Sequence, residues 1–394
     1  MATAVIDLEL DALPPGITGL DERYRRALIL LRWHRQAVGS LVLPVRNGGI
    51  DAEALLSAIR ESTGKPLWYR LAHERLGWQP GPPASTLPLA TVAVCTRDRP
   101  EDLRRAIGGL LGLPDRGQEL MIVDNNPSSD ATWQVVREYP AIRYIREDRP
   151  GLDAARNRAM REATHEIVAF TDDDAVVEPE WLDGLCRNFN DPQVLCVTGL
   201  TMPLELETEA QEFFEQHSPF GRGFRREVFD GQRDNPLVVG RVGAGANMAL
   251  RADILDQIGP FDEALDAGTP TQSGGDHEMF TRILAAGYRI VYDPAALSFH
   301  RHRRTFDELR HTFYGYGVGV YATFTRHLLN DCDIGVLRQG YSWFRHGQGP
   351  ALVGALLRRP GSLPLPLVLA ELRGCAAGPW AYVRSRRLLR KKAA

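Results

Sequence analysis

Three consecutive carboxylates, Asp172, Asp173 and Asp174, follow the apolar run Ile167, Val168, Ala169 and Phe170 after a single threonine, Thr171. Adjacent like charges raise one another's pKa and persist where a cation neutralises them or water screens them. Taken alone the triplet reads as a turn with a helix cap, since Asp is favoured in both, or as a site where a cation neutralises the charges; the company it keeps decides between them. Two other short apolar runs also end on polar side chains: 91–96 leads to Thr96 and Asp98, and 120–123 leads to Asp124. A further acid, Asp276, opens an amphipathic stretch about a hundred residues later, and His300 and His302 alternate in a strand-like run after that. After Thr96 stands Arg97-Asp98-Arg99-Pro100, which has neither GxGxxG nor GxxxxGK[ST]. A diphosphate bound here would thus lack a glycine cradle and would need a cation for neutralisation.

Elements that could position these groups alternate as strand and helix. From residue 87 onward, strands are expected over 91–96, 120–123, 142–145 and 167–170. Helices are expected from Pro100, over 130–139 and over 152–163, with the turn Arg149-Pro150-Gly151 before the last. Such alternation with short connections implies a mainly parallel sheet flanked by helices, and ligands bind at the carboxyl ends of its strands. Further on, the spacing predicts a helix over 179–190 and a strand over 194–201. An irregular acidic and Gly/Arg-rich insertion over 204–236 follows, whose Arg222, Arg225 and Arg226 either cover phosphates or face solvent. Strands at 248–250, 289–292 and 295–302 and a helix over 276–286 complete this region, with Gly243 and Gly245 permitting a close approach of ligand to backbone.

Residues 1–86 look like an accessory segment of α+β character. A helix is expected over 21–37 with Tyr24, Leu28, Leu31 and Trp33 on its apolar side, then a strand over 41–45, a turn at Asn47-Gly48-Gly49, a helix over 51–62 with Leu55, Leu56 and Ile59 inward, and a linker at 79–83. It serves as a recognition or dimerisation module or as a packing extension. Residues 305–394 form a helical extension in which Gly315, Gly317 and Gly319 interrupt an aromatic periodicity. It ends in the basic stretch 384–392, either a solvated terminus or a contact with anionic lipid.

The composition is that of an ordinary globular protein: 44% hydrophobic, 25% charged and a formal net charge of −3 over 394 residues. No global positive field points to nucleic acid. Five cysteines without ligand spacing read as reduced thiols, and the acidic start 1–16 lacks the basic region of a secretory signal. No run approaches about 20 apolar residues, so no membrane span is expected, and the location implied is cytoplasmic or membrane-peripheral.

Eight pieces in order, VAVCTRDRPEDL, MIVDNN, RPGLDAARNRAM, AFTDDD, GANMALR, GPFDEAL, GGDHEMFTRILAAGYRI and YDPAALSFHRHR, resemble the family 2 glycosyltransferases of GT-A fold over residues 87–304. The resemblance implies an inverting transfer of a sugar from a UDP-, dTDP- or GDP-linked donor, with Mn²⁺ or Mg²⁺ as cofactor. It assigns Asp98 and Asp124 to the nucleotide's base and ribose, with Thr96 beneath, and Arg149, Gly151 and Asn157 to the nucleotide pocket. Asp172 and Asp173 fall on the donor side, and Asp172, Asp174 and His300 on the metal. Asp276 matches the base that takes the acceptor's proton. One departure stands out: the family commonly has Glu-Asp where this chain has Gly275-Asp276. The acceptor is left open between glycan, lipid-linked glycan, peptide and small molecule, and self-association is also open. Two other functions are weighed: a nucleotidyltransferase of related fold, which would need a Gly-rich basic loop after the first strand, and a non-catalytic nucleotide-sugar-binding subunit, for which Gly275 is the support.

Overall fold

The computed structural model describes residues 2–62, 67–68, 71–72, 75–76 and 87–393; the expected linker at 79–83 lies outside them. β1 (Ala2–Glu9), β2 (Gly16–Ile17), β3 (Tyr24–Trp33), β4 (Gln36–Pro44) and β5 (Ile50–Asp51) precede the helix Ala52–Ser62. β3 pairs parallel with β1 and antiparallel with β4. The helix expected over 21–37 is therefore a strand. Its contiguous run from Ala27 to Leu31 is buried on both sheet faces, and a short apolar run of that kind cannot be told from a buried helix by periodicity. Asn47 and Gly48 do form the tight turn, with φ of 50° and 69°. The following helix buries Leu55 and Ile59, while Leu56 stays 40% exposed at the stripe's margin.

The central sheet contains β6 (Ala90–Thr96), β7 (Glu119–Asn125), β8 (Ile142–Glu147), β9 (Ile167–Asp172), β10 (Ala175–Val177), β11 (Val194–Pro203), β12 (Glu227–Asp230), β13 (Asn247–Arg251) and β14 (Arg289–His300). Among the described residues its order is β10-β14-β11-β13-β9-β6-β7-β8, with β12 also on β14. The block β9-β6-β7-β8 is parallel, and β13 runs against both neighbours. Alternate residues of β6 point to opposite layers. Val92 and Val94 join Leu103, Ile107, Trp181 and Leu185, while Ala93 joins Ala159, Met160, Phe280 and Ile283. Fully burying each such large side chain is worth roughly 1.5–3 kcal/mol. The result is an α/β core with helices on both faces.

Two strands expected over 289–292 and 295–302 are one strand, β14, whose register against β11 shifts between Gly199 and Leu200. Asn247 holds that irregularity: its amide donates to Leu200 O at 3.0 Å, Ala296 O at 2.9 Å and Ser298 Oγ at 3.1 Å, and its Oδ1 accepts from Trp181 Nε1 at 2.8 Å. The helix expected over 179–190 is shorter, Trp181–Cys186. The N-terminal strands pack on the far side of this edge, where Leu28 and Leu30 meet Leu200, Met202 and Tyr292.

Beyond β14 the helix Phe306–Asn330 runs unbroken and packs along the helix Leu365–Ala393. The glycines expected to interrupt it instead allow contact. A Cβ on Gly317 would lie 2.2 Å from Glu371 O, and one on Gly374 2.1 Å from Tyr314 O. No helix among the described residues is long and apolar enough to cross a membrane.

Candidate active site

Parallel register brings the strand ends level: Thr96 pairs with Asp124, and Cys95 with Asp172. From there β9 turns through the triplet into β10, which pairs Ala175 with His300. Thr96 Oγ1 donates to Asp173 Oδ2 at 2.7 Å, and Arg99 Nη1 reaches Asp173 Oδ1 at 3.1 Å and Asp174 Oδ2 at 3.2 Å. Arg303 Nη1 adds a contact to Asp174 Oδ2 at 3.3 Å, and His300 Nε2 lies 3.0 Å from Asp174 Oδ1. Burial opposes charge on Asp174, yet His300, Arg303 and Arg99 together hold its carboxyl well below the usual range. Burial and the neighbouring Asp174 instead push Asp173 up to about 6.

One ligand atom each from Asp172, Asp174 and His300 lie within 4.8 Å of one another. Two carboxylates and an imidazole are hard and borderline donors of the type that holds Mn²⁺ or Mg²⁺. His300 Nδ1 is buried without a hydrogen-bond partner, so no competing bond fixes the ring away from the cluster. The set fits a divalent cation.

On the other side of the strand ends, Asp124 is fully buried and accepts from Tyr144 Oη at 2.9 Å, while its Oδ1 has no partner. Burial raises its pKa. Asp98 has a left-handed backbone, φ 56°, and accepts from Ser128 N at 2.9 Å. Arg149 is engaged by Glu147 and Glu263 at 2.8–3.0 Å, so its charge is already matched. Gly151, φ 126°, donates its N–H to Asn125 Oδ1 at 3.0 Å, and Asn125 donates to Arg149 O at 2.8 Å. Asn157 is spent on Phe261, exchanging bonds of 3.0 and 2.8 Å with its backbone. The structure thus gives Asn157 and Arg149 protein partners and leaves Asp124 with an open acceptor.

Asp276 sits in the first turn of the helix Gly275–Ala285. Its Oδ2 accepts from Gly245 N and its Oδ1 from His277 N, both at 2.8 Å. Burial works against its charge, but His277, Arg156 and the two N–H donors hold its pKa below the ordinary carboxylate value. Arg156 Nη1 is clamped by Asp153 Oδ1 at 3.0 Å and Asp266 Oδ2 at 2.6 Å, and its field reaches both Asp276 and Asp172. Asp153 fills the space that a side chain at 275 would take: a Cβ on Gly275 would lie 2.0 Å from Asp153 Oδ2. Burial, with Asp266 beside it, pushes Asp153 well above its usual range.

Sequence reasoning missed Arg99, Arg303, Asp153, Arg156 and Asp266. Arg156 and Asp153 sit five and two residues past Gly151 on a helix that looks merely amphipathic, so only the contact with Gly275 reveals their role. The insertion is more ordered than expected. The helix Glu209–His217 is closed by a capping box between Thr208 and Gln211, and the Phe220 ring meets His300 edge-on at 4.9 Å. Arg222 donates to Gly240 O and Pro219 O, and Arg226 to Asn188, so both are anchored to protein; Arg225 is exposed. His302, which alternation along the expected strand places on the same side as His300, is buried at 3% exposure and lies 2.9 Å from Glu215, because the insertion helix closes over it.

Comparison with known proteins follows this geometry. The model of the family described as Glycosyl transferase family 2 matches residues 91–259. The chain is 28% identical over 236 residues to the Pre-mycofactocin glycosyltransferase of Mycobacterium tuberculosis, covering 57% of this chain and 46% of that protein. It is 25% identical over 249 residues to the Glucosyl-dolichyl phosphate glucuronosyltransferase of Haloferax volcanii, covering 58% of this chain and 76% of that one. The chain thus spans about half the length of its mycobacterial relative, 46%. Among solved structures it is similar in fold to the mannosyltransferase PcManGT from Pyrobaculum calidifontis in complex with GDP-Man and Mn²⁺. That likeness has a TM-score of 0.52 and 18% identity, covering 80% of this chain and 94% of that one.

Proposed function

Since the chain carries a glycosyl transferase family 2 domain, we propose that it moves a sugar from a nucleotide-diphosphate donor to an acceptor hydroxyl by single displacement, inverting the anomeric carbon. The observation that carries this reading is the pairing of the Asp172, Asp174 and His300 donor set with a separate, ionised carboxylate at Asp276, both within the field of Arg156. A divalent ion on the first three, Mn²⁺ or Mg²⁺, would stabilise the charge of the departing diphosphate.

The remaining work falls to the chain's own side chains. Asp276 is fixed by two backbone donors, and a carboxylate has about four acceptor sites, so lone pairs stay free to accept the acceptor hydroxyl's proton as its oxygen bonds to the anomeric carbon. Low intrinsic basicity is the cost of that ionised state; proximity and orientation compensate for it. Asp124 Oδ1, buried without a partner, is suited to accept an N–H from the donor's base, with Asp98 beside it toward the ribose. Arg99 and Arg303 hold Asp174 in place and bring positive charge toward the phosphates.

Gly275 favours the alternative of a non-catalytic binder, since it removes an acid beside Asp276. Asp153 occupying that space weakens the alternative. A thermal-shift panel of UDP-, dTDP- and GDP-sugars with and without Mn²⁺ identifies the donor, and hydrolysis of that donor tests turnover. Asp276→Asn is expected to bind the donor as wild type does and to lose transfer by at least about a hundredfold, the size of a general-base contribution. Transfer at near wild-type rate in that variant removes Asp276 from its role.

A further inference from the structure

The segment after the helix Phe306–Asn330 exposes apolar side chains in register. Ile334, Leu337, Tyr341 and Phe344 are 76%, 63%, 65% and 46% exposed, and their spacing of three and four places them on one side of the helix Gly335–Trp343 and the turn that continues it. Val336 and Gly340, on the other side, are buried. Downstream, at the end of the helix Gly349–Leu356, Leu356 and Leu357 are 60% and 62% exposed. Apolar residues scattered singly over a surface are normal, whereas a run of this kind marks an interaction surface.

Charge identifies what the surface meets. From Ile334 to Lys392 the chain has eleven arginines and lysines and one acid, Glu371, although the whole protein has a net charge of −3. Arg338, Arg345, Arg358 and Arg359 flank the apolar residues, are exposed and have no ion-pair partner among the described residues. A two-fold contact between copies would set this basic face against itself, which like-charge repulsion opposes. An anionic bilayer meets both demands, because apolar side chains enter the acyl boundary while guanidinium groups bind lipid phosphates.

We propose that the surface formed by residues 334–359 docks the protein peripherally on anionic lipid, through Ile334, Leu337, Tyr341, Phe344, Leu356 and Leu357 inserted between arginines. This surface, rather than the basic terminal stretch alone, sets the attachment. The inference does not depend on the reaction at the distant carboxylates.

Flotation of the full chain tests it, with vesicles of pure phosphatidylcholine and vesicles containing about 30 mol% phosphatidylglycerol at about 0.15 M salt. The protein is expected to float with the anionic vesicles only, and less so as salt rises. Each arginine near the surface is worth about fivefold in partitioning, so Arg358→Ser with Arg359→Ser is expected to weaken binding by about 25-fold. Leu337→Glu with Leu356→Glu should abolish it while the thermal midpoint and donor hydrolysis stay at the wild-type level. Three results overturn the proposal: no binding to anionic vesicles, binding that neither pair of substitutions changes, or a dimer by light scattering that Leu337→Glu dissolves.

Discussion

Replacing Gly275 by alanine adds a single methyl, and the structure says where it must go. The new Cβ would stand 2.0 Å from Asp153 Oδ2 and 2.5 Å from Asp153 Cγ, far inside van der Waals contact. Asp153 cannot swing away at no cost: it is short, fully buried and bonded to Arg156 at 3.0 Å. Overpacking a tight interior site costs about 1–3 kcal/mol, and the melting midpoint of a domain of about 200 residues falls by ~2–4 °C per kcal/mol. If Asp153 is displaced, Arg156 moves with it and Asp276 loses part of the positive field that keeps it ionised. A change of about 1.4–2.8 kcal/mol at that point is ten- to a hundredfold in rate. The assay is a double-mutant cycle read by differential scanning calorimetry and by kcat/KM for donor turnover. Gly275→Ala alone is expected to lose both stability and rate, Asp153→Ala alone to lose some of each, and the pair to recover stability toward the better single variant. Contacting residues couple by about 0.5–3 kcal/mol. Strict additivity, or a Gly275→Ala protein as stable and active as wild type, refutes the reasoning.

Two more outcomes follow from the same geometry. Asp174→Ala should lower metal-dependent donor affinity by at least about tenfold, seen as loss of the Mn²⁺-dependent thermal shift with donor; an unchanged metal-dependent shift removes Asp174 from the ligand set. Arg156→Gln takes away the cation that helps depress the Asp276 pKa, leaving burial, Asp266 and Asp153 to raise it. A base is active in its deprotonated form, so the acid limb of kcat/KM against pH, which in wild type lies below the ordinary carboxylate value, moves to higher pH. The influence of His277 on Asp276 stays, and Arg222 and Tyr316 also interact electrostatically with Asp276. An acid limb that does not move means Arg156 does not tune Asp276.

What the chain declares by itself is what is local. The strand-helix alternation from residue 90, the polar side chains ending β6, β7 and β9, and the acid opening the helix Gly275–Ala285 all follow from runs of under fifteen residues, where apolar spacing and turn chemistry decide the outcome. Tertiary structure decided the rest. β3 is a strand because β1 and β4 supply backbone partners on both sides, and nothing within its own ten residues specifies those partners. β14 is one strand because Asn247, in another part of the chain, satisfies its irregular backbone. His302 is buried because an insertion helix almost a hundred residues earlier closes on it. The vacant side chain of Gly275 gained meaning only when Asp153 arrived there from another helix, since steric fit and charge pairing depend on distances in space that sequence separation does not encode.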